Sequence, residues 1–232
     1  GALLLVEYQG ESRAELTAKL DRLESHLRRH RIGTAYTRAV EPAEQQRIWK
    51  VRKVGMALLL GMPGDGKPVA GIEDTAVAPE KLAEYIRRLD EVIQRHGAQA
   101  AYYGHASVGC LHVRPILDLK QDLDVERLRA IAEETCALVA EYGGAMSAEH
   151  GDGLARSCWN ERLFGPTLYQ AFRELKRAFD PRGIMNPGKI VDAPPMTANL
   201  RFGGGYRTRP VKTFLSFKRE GGFDRAIEQC SG

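Results

Sequence analysis

Apolar residues recur every three or four positions in several long stretches of the chain, which is the spacing of one buried face of a helix. The first stretch follows Ser12, a residue type that caps helix N-termini, and its apolar positions are Leu16, Leu20, Leu23 and Leu27. Further helices are predicted where proline or an acidic residue opens such a stretch. These helices cover residues 42–60, 79–97, 122–142, 160–179 and 223–232.

Short apolar runs between these helices predict strands. The runs cover residues 3–8, 34–40, 69–77, 100–105, 110–115 and 145–149. The turn Ser107-Val108-Gly109 joins two of these strands in a tight hairpin. Short strands between long helices indicate an α+β fold, in which an antiparallel or mixed sheet carries helices on one face. The number of elements fits two ferredoxin-like units packed side by side.

The composition changes near residue 194, after which proline, glycine and scattered arginine replace the helical pattern. We therefore expect one domain over residues 1–193 and an extended tail over residues 194–232. The chain starts at Gly1 within an apolar run and stops just after Cys230 in a helical pattern. Both ends lead us to expect that the chain is a piece of a longer protein.

The proportions of 43% hydrophobic and 28% charged residues are those of a globular protein and exclude a disordered chain. Lys and Arg outnumber Asp and Glu by 34 to 30, and this dispersed charge of +4 argues against nucleic-acid binding. The longest apolar run, Met56–Met62, is far shorter than the roughly 20 residues of a transmembrane helix. The 4 cysteines form no C-x-x-C pair, so we expect a cytoplasmic protein with reduced thiols, and peripheral membrane association stays open.

Two histidines and a Glu-His dipeptide are placed where they could do chemistry. His105 and His112 flank the hairpin turn, so their side chains can converge from neighbouring strands. Glu149 and His150 lie at a predicted strand end followed by glycines, where backbone can approach a ligand closely. Two imidazoles and one carboxylate suit Zn²⁺ or another borderline divalent ion. The alternative is a pair of structural histidines and a solvated dipeptide, and a zinc hydrolase would use the same ligands.

Several ordered motifs resemble one protein family. They are Glu-Asp-Thr-Ala-Val at 73–77, Gly-His-x6-His at 104–112, Ser-Ala-Glu-His-Gly-Asp-Gly at 147–153, and the stretch 176–190 with its Asp-Pro-Arg-Gly and Asn-Pro-Gly turns. The chain is similar to the C-terminal cap domain of FAD-linked oxidases of the vanillyl-alcohol-oxidase type. These include D-lactate, glycolate and D-2-hydroxyglutarate dehydrogenases. The similarity runs from Leu3 to about Ile190.

The resemblance implies a role for each matching residue. It implies that His105, His112 and Glu149 bind a divalent metal, which we expect to be zinc, and that His150 is the base. Arg52 matches the arginine that pairs with the substrate carboxylate. Asn186, in the segment that leads back to the flavin domain, is expected to bind the cofactor.

Arg114 departs from the D-2-hydroxyglutarate dehydrogenase pattern, which has asparagine at this place. It follows His112 by two residues, so on an extended strand both side chains point to the same side of the sheet. Two guanidiniums, from Arg52 and Arg114, favour a substrate with two carboxylates, such as D-2-hydroxyglutarate, over D-lactate. The alternative is that Arg114 pairs with a protein carboxylate such as Asp152 or Glu73.

The family binds FAD mainly through an N-terminal domain, and this sequence has no glycine-rich dinucleotide loop. The expected function is therefore the substrate- and metal-binding part of a flavin-dependent dehydrogenase that oxidises a D-2-hydroxy acid to the 2-oxo acid. By itself the chain should be inactive. Its expected partners are the 2-hydroxy acid, the FAD domain and an iron-sulfur region of the same polypeptide, for which Cys230 would be a ligand. The alternatives are a stand-alone zinc hydrolase and a noncatalytic α+β binding module.

Overall fold

The computed structural model describes residues 1–209 and 211–229. The chain divides into two compact units, one over residues 1–56 and one that starts at residue 57. Long helices and an antiparallel sheet confirm the α+β class. Cys230 lies outside the described residues. Within the described part of the chain, no helix is both long and apolar enough to cross a membrane.

The first unit contains helix α1, Arg13–Arg29, and the start of helix α2, Pro42–Leu60. The Ser12 hydroxyl accepts a hydrogen bond from the backbone N–H of Glu15, which confirms the predicted cap. The predicted strands at residues 3–8 and 34–40 are wrong, because neither segment pairs with another strand among residues 1–56. The second segment is instead attached to α1 by ion pairs of Arg38.

The second unit is built on an antiparallel sheet, whose described strands are β1 (Lys67–Pro68), β2 (Thr75–Ala76), β3 (Gln99–His105) and β4 (Cys110–Leu117). Strand β4 is central, with β3 on one side and both β1 and β2 on the other. Ala145 extends the sheet through a bridge to Ala76. Together with α3 and α4, described below, these strands follow the β-α-β-β-α-β order of a ferredoxin-like unit. The second predicted unit stays a prediction.

Two predicted strands are much shorter in the structure, for local reasons. Of the predicted run at residues 69–77, only β2 (Thr75–Ala76) is a strand, and Asp74 just before it has a φ of 79°, which interrupts β geometry. The run at residues 145–149 keeps only the bridge at Ala145. The backbone N–H groups of residues 148–150 bind the Asp74 carboxylate rather than a neighbouring strand. Both interruptions of strand structure, at Asp74 and at residues 148–150, lie where the candidate site is formed.

The core lies between the sheet and two helices, α3 (Leu82–Arg95) and α4 (Asp122–Glu141), which begin and end close to their predicted limits. A short 3₁₀ turn, Pro79–Lys81, precedes α3. The helices pack against each other and against β3 and β4. Fully buried members of this core are Ile72, Tyr85, Leu89, Ile93, Val113, Leu128, Ile131 and Val139. The core fixes β4, which carries one of the candidate ligands.

The rest of the second unit contains the one-turn helix α5 (Gly153–Arg156), α6 (Asn160–Phe179) and the short α7 (Phe223–Glu228). Helix α6 is interrupted at Gly165, which has a φ of 77° and a ψ of 163°. Pro166 follows, and its ring and missing N–H are incompatible with a continuous helix interior. The predicted helix at residues 160–179 did not include this kink.

Within the second unit, Lys120 links the end of the described chain to the loop that carries Asp65. Its Nζ lies 2.9 Å from an Asp65 carboxylate oxygen and 2.8 Å from Glu228 Oε2 on α7. The same ammonium lies 5.5 Å from the ring centroids of Phe202 and Tyr206, within the range of cation–π attraction. One half-buried lysine thus connects three separate segments.

Candidate metal and substrate site

The hairpin of β3 and β4 presents two histidines. His105 ends β3, and His112 lies three residues into β4. A 3₁₀ turn, Ala106–Val108, joins the strands, and Gly109 completes it with a φ of 69°. The imidazole rings are perpendicular, with centroids 5.4 Å apart. The tight turn therefore brings both side chains to one place, as their spacing suggested.

Asp74 anchors the loop that carries the other candidate residues. Its buried carboxylate accepts hydrogen bonds from the Ser147 hydroxyl at 3.0 Å and from the backbone N–H groups of Ala148 at 2.8 Å, Glu149 at 3.0 Å and His150 at 2.8 Å. Burial acts to raise the pKa of Asp74, but the backbone and hydroxyl donors outweigh it, so the pKa is lowered. A buried anion thus fixes the backbone of the loop.

Asp74 lies close enough to His112, Glu149 and His150 to be considered a metal ligand, since one potential ligand atom of each lies within 4.8 Å of the others. Its carboxylate oxygens, however, already accept the loop donors, and the Cys110 thiol lies 3.6 Å from Oδ1. A carboxylate with its lone pairs engaged by N–H groups has little capacity left for a cation. We therefore assign Asp74 to loop support.

Arg156 provides a second support for the same loop. Its guanidinium donates to the carbonyl oxygen of Glu73 at 2.9 Å and to that of Gly151 at 2.7 Å. Asn160 then donates to Asp152 and to the carbonyl oxygen of Ile190, at 2.9 and 3.0 Å. These supports were not predicted from the sequence, since each contact joins residues whose proximity depends on the fold.

Glu149 is the centre of the cluster. Its Oε1 atom lies 3.0 Å from His112 Nε2, 3.4 Å from His105 Nε2 and 3.6 Å from His150 Nε2. His112 is 2% exposed, whereas the side chains of the other three are between 41% and 47% exposed. The structure thus places all three histidines next to Glu149, with His112 as a buried floor and an open side formed by the others. His105, however, is not in the group whose potential ligand atoms all lie within 4.8 Å of one another, which consists of Asp74, His112, Glu149 and His150.

The buried His112 is held neutral. Burial, followed by the charge of His150, lowers its pKa, so the ring is unprotonated near neutral pH. The His150 ring stacks on it, with centroids 4.8 Å apart and an interplanar angle of 9°. The buried His112 Nδ1 has no hydrogen-bond partner among the described residues. A neutral imidazole is the form that binds a metal.

These residues fit a zinc site by their chemistry. Two ligand atoms each about 2.0–2.1 Å from a tetrahedral zinc ion are about 3.3 Å apart. The 3.4 and 3.0 Å distances from Glu149 Oε1 to His105 and His112 are of that size. Two imidazoles and a carboxylate leave a fourth position for a substrate or water. The donor set is therefore suited to a catalytic metal.

Glu73 and Arg114 form a buried ion pair beside the cluster. The Arg114 Nη2 atom contacts Glu73 Oε2, and its Nε donates to the Tyr103 hydroxyl at 3.3 Å. The side chains of Glu73 and Arg114 are 5% and 16% exposed. This contact matches the alternative in which Arg114 pairs with a protein carboxylate. The argument for a dicarboxylate from an unpaired guanidinium therefore loses its support.

The two other predicted site residues lie elsewhere in the chain. Arg52 is a half-buried residue on α2, within the first unit. Asn186 is exposed in the turn after α6, with a φ of 48° that asparagine tolerates better than most residues. The substrate role of Arg52 and the cofactor role of Asn186 remain predictions.

Residues 1–190 match the family model described as FAD linked oxidases, C-terminal domain. The chain belongs to this family. The match includes the hairpin, the Asp74 segment and the loop with Glu149 and His150, so the resemblance drawn from the motifs is confirmed. The site just described is therefore a site of an FAD-linked oxidase domain.

Relatives of this FAD-linked oxidase domain include dehydrogenases of 2-hydroxy acids. It is 38% identical to the D-2-hydroxyglutarate dehydrogenase of Pseudomonas putida, over 80% of the chain and 18% of that protein. It is 36% identical to that of Haemophilus influenzae, over 81% of the chain and 19% of that protein. Identity to the D-lactate dehydrogenase of Archaeoglobus fulgidus is 34%, over 66% of the chain and 32% of that protein. The chain thus spans about a fifth of the length of the first two relatives.

Proposed function

We propose that the chain is the substrate- and metal-binding part of a flavin-dependent dehydrogenase that oxidises a D-2-hydroxy acid to the 2-oxo acid. The observation that carries the proposal is that His105, His112 and His150 each place a ring nitrogen within 3.0–3.6 Å of one Glu149 carboxylate oxygen. The preferred substrate candidate is D-2-hydroxyglutarate. It is supported by the names of relatives that are 36–38% identical to this chain.

His105, His112 and Glu149 would hold the metal, with zinc as the candidate. When bound, the metal would lower the pKa of the substrate hydroxyl. His150 would accept the hydroxyl proton at Nε2, the nitrogen that lies 3.6 Å from Glu149 Oε1. The open side of the cluster admits the substrate, while the buried His112 shields the opposite side from water.

The guanidinium of Arg52 is proposed to hold the substrate carboxylate with two parallel hydrogen bonds, which fixes the face of C2 that loses hydride. Arg114 is a candidate for a second carboxylate, in addition to its contact with Glu73. FAD would accept the hydride, bound mainly by an N-terminal domain of the same polypeptide. Asn186 is proposed to contact it.

The proposal extends to the rest of the polypeptide. An iron-sulfur region is proposed to follow the tail, with Cys230 as a ligand. We place the protein in the cytoplasm, on the basis of its scattered cysteines without a C-x-x-C pair.

The decisive experiment is an assay of the full-length protein with an artificial electron acceptor and a panel of D-2-hydroxy acids. We expect oxidation of D-2-hydroxyglutarate, with activity lost on chelation and recovered with Zn²⁺. A full-length protein that binds zinc and hydrolyses esters or amides, but oxidises no hydroxy acid, would favour the zinc hydrolase instead. A protein with neither metal nor activity would favour the noncatalytic binding module.

A further inference from the structure

Glu73 is a buried carboxylate that contacts three groups of the candidate site. It is 4% exposed and lies just before Asp74 in the chain. Burial of a carboxylate is costly unless charged and hydrogen-bonding partners surround it. The groups that surround the Glu73 carboxylate therefore indicate its role.

The two carboxylate oxygens have different partners. Oε1 lies 3.3 Å from His150 Nδ1 and accepts a 3.4 Å hydrogen bond from the Tyr103 hydroxyl. Oε2 contacts the guanidinium of Arg114. The backbone of Glu73 is also fixed, because its carbonyl oxygen accepts from Arg156. The carboxylate thus has a defined position next to the proposed base.

The contact with His150 orients its imidazole ring. His150 Nδ1 lies 3.3 Å from Glu73 Oε1, so a proton on Nδ1 would face an acceptor, whereas a lone pair there would face a carboxylate oxygen. This arrangement favours the tautomer with its lone pair on Nε2, which faces Glu149. This is the nitrogen that must be unprotonated if His150 accepts a proton from a hydroxyl.

We propose that Glu73 is a positioning residue, which holds the ring and tautomer of His150 and the guanidinium of Arg114 at the same time. The inference rests on the proposed function and adds a residue that is neither a metal ligand nor in contact with the reacting atoms. Its predicted signature is a loss of turnover without a loss of metal.

The test is Glu73→Gln in the full-length enzyme, which keeps the shape of the side chain and removes its charge. We expect kcat to fall about 10–100-fold for both D-2-hydroxyglutarate and D-lactate, the range for residues that orient groups around a metal site. KM for D-lactate, the zinc content and the visible spectrum of the Co²⁺-substituted enzyme should stay unchanged. Glu141→Gln is the matched control, since Glu141 also pairs with an arginine, Arg88, which also contacts a tyrosine, Tyr142, but on the surface.

A double-mutant cycle tests whether Glu73 acts through His150. In a His150→Asn background, Glu73→Gln should cause little further loss of kcat. Glu73→Asp retains the charge and should recover part of the activity.

Four results would overturn the proposal. They are a Glu73→Gln kcat within twofold of the parent, a changed Co²⁺ spectrum, an equal loss in the His150→Asn background, and failure of both Glu73 variants to fold.

Failure of the proposed function would look different. In that case the parent enzyme would oxidise no D-2-hydroxy acid, before any variant is compared. Structures of the parent and Glu73→Gln would then test Glu73 alone. A rotated His150 ring in the variant supports positioning, and an unchanged ring contradicts it.

Discussion

At the scale of single residues, the exposure of each side chain separates the one buried histidine of the cluster from its more exposed members. His112 lies on the buried floor, and His105, Glu149 and His150 lie at the open side. Loss of the floor residue should therefore affect metal binding most directly.

We expect His112→Asn to remove most of the metal from the full-length enzyme, because asparagine is too short to replace the imidazole nitrogen. Loss of a ligand should cost more than the roughly 10–100-fold in affinity typical of residues that only support ligands. Metal analysis by mass spectrometry measures it. The control is His96→Asn, since His96 lies 2.6 Å from a Glu134 oxygen away from the cluster. Full metal occupancy in His112→Asn would contradict the ligand assignment.

Arg114→Met tests whether this arginine meets the substrate. If it binds a second carboxylate, kcat/KM for D-2-hydroxyglutarate should fall by about 1.5–3 kcal/mol, the range for hydrogen bonds to charged groups, while D-lactate is spared. Arg88→Met, in the exposed Arg–Glu pair, is the control. Equal losses on both substrates would show that Arg114 serves Glu73 rather than the substrate.

The candidate site was only partly predictable from the sequence. His105 and His112 could be paired because a short hairpin brings them together whatever the rest of the fold. The support of Glu149 by Asp74 joins residues 75 positions apart and depends on a left-handed backbone conformation at an aspartate. No local pattern encodes such a contact, and so Asp74 was recognised only as part of a motif.

At the scale of elements, the β3–β4 hairpin depends on Gly109. A Cβ at this position would lie 1.8 Å from the carbonyl oxygen of Val77, and its φ is 69°. We expect Gly109→Ala to lower the free energy of unfolding by more than the about 1–3 kcal/mol of backbone strain alone. Urea denaturation measures it. Gly143→Ala is the control, because its φ is 65° but a Cβ there would meet nothing within 4 Å. Equal losses in both variants would mean that strain, not the clash, decides.

The turn after α6 depends on Asp180, which accepts hydrogen bonds from Lys176 and from the backbone N–H groups of Ile184 and Met185. The Lys176 hydrogen bond, against a smaller effect of burial, lowers the pKa of Asp180. The resulting stabilisation is present above the unfolded pKa of about 3.9 and is lost as the pH falls through the lower folded value.

Asp180→Asn should therefore reduce the free energy of unfolding at pH 7. At a pH about one unit or more below the unfolded pKa of about 3.9, its difference from the parent should be smaller. Urea titrations at both pH values measure this. The exposed Asp192, paired with Arg173, is the control, and its Asn variant should change little at either pH. A pH-independent difference for Asp180→Asn would contradict the ionic explanation.

Helices were easier to predict than strands. Helix α2 has the limits predicted from Pro42 and its apolar spacing, because a helix is determined by contacts within one segment. A strand needs a partner, and the segments at 3–8 and 34–40 have none among residues 1–56. The sequence does contain a signal for the kink in α6. Because Pro166 is incompatible with a helix interior, the predicted helix at residues 160–179 should have been split there.

At the scale of the whole molecule, Lys120 determines whether the tail stays attached to the second unit. We expect Lys120→Met to leave the carboxylates of Asp65 and Glu228 without their shared cation and to release residues 200–209. Chymotrypsin should then cleave at Phe202 and Tyr206 several-fold faster.

Timed digestion followed by mass spectrometry measures this rate. Lys189→Met is the control, because the Lys189 ammonium reaches only a neighbouring carbonyl oxygen, that of Pro187, among the contacts described. Equal cleavage of the parent and Lys120→Met would show that other contacts hold the tail.

The residues of the cluster are also synthesised in a fixed order on the ribosome, and the Glu149 loop, which Asp74 holds, comes last. The hairpin histidines and Asp74 emerge first, and Glu149 follows His112 by 37 positions. At about 5–20 residues per second, the nascent chain carries both imidazoles for about 2–7 s before the carboxylate is made. A nascent chain in this interval offers only two of the three proposed ligands. Stable capture of the proposed metal would therefore have to wait until Glu149 has been made and its loop has reached the Asp74 carboxylate.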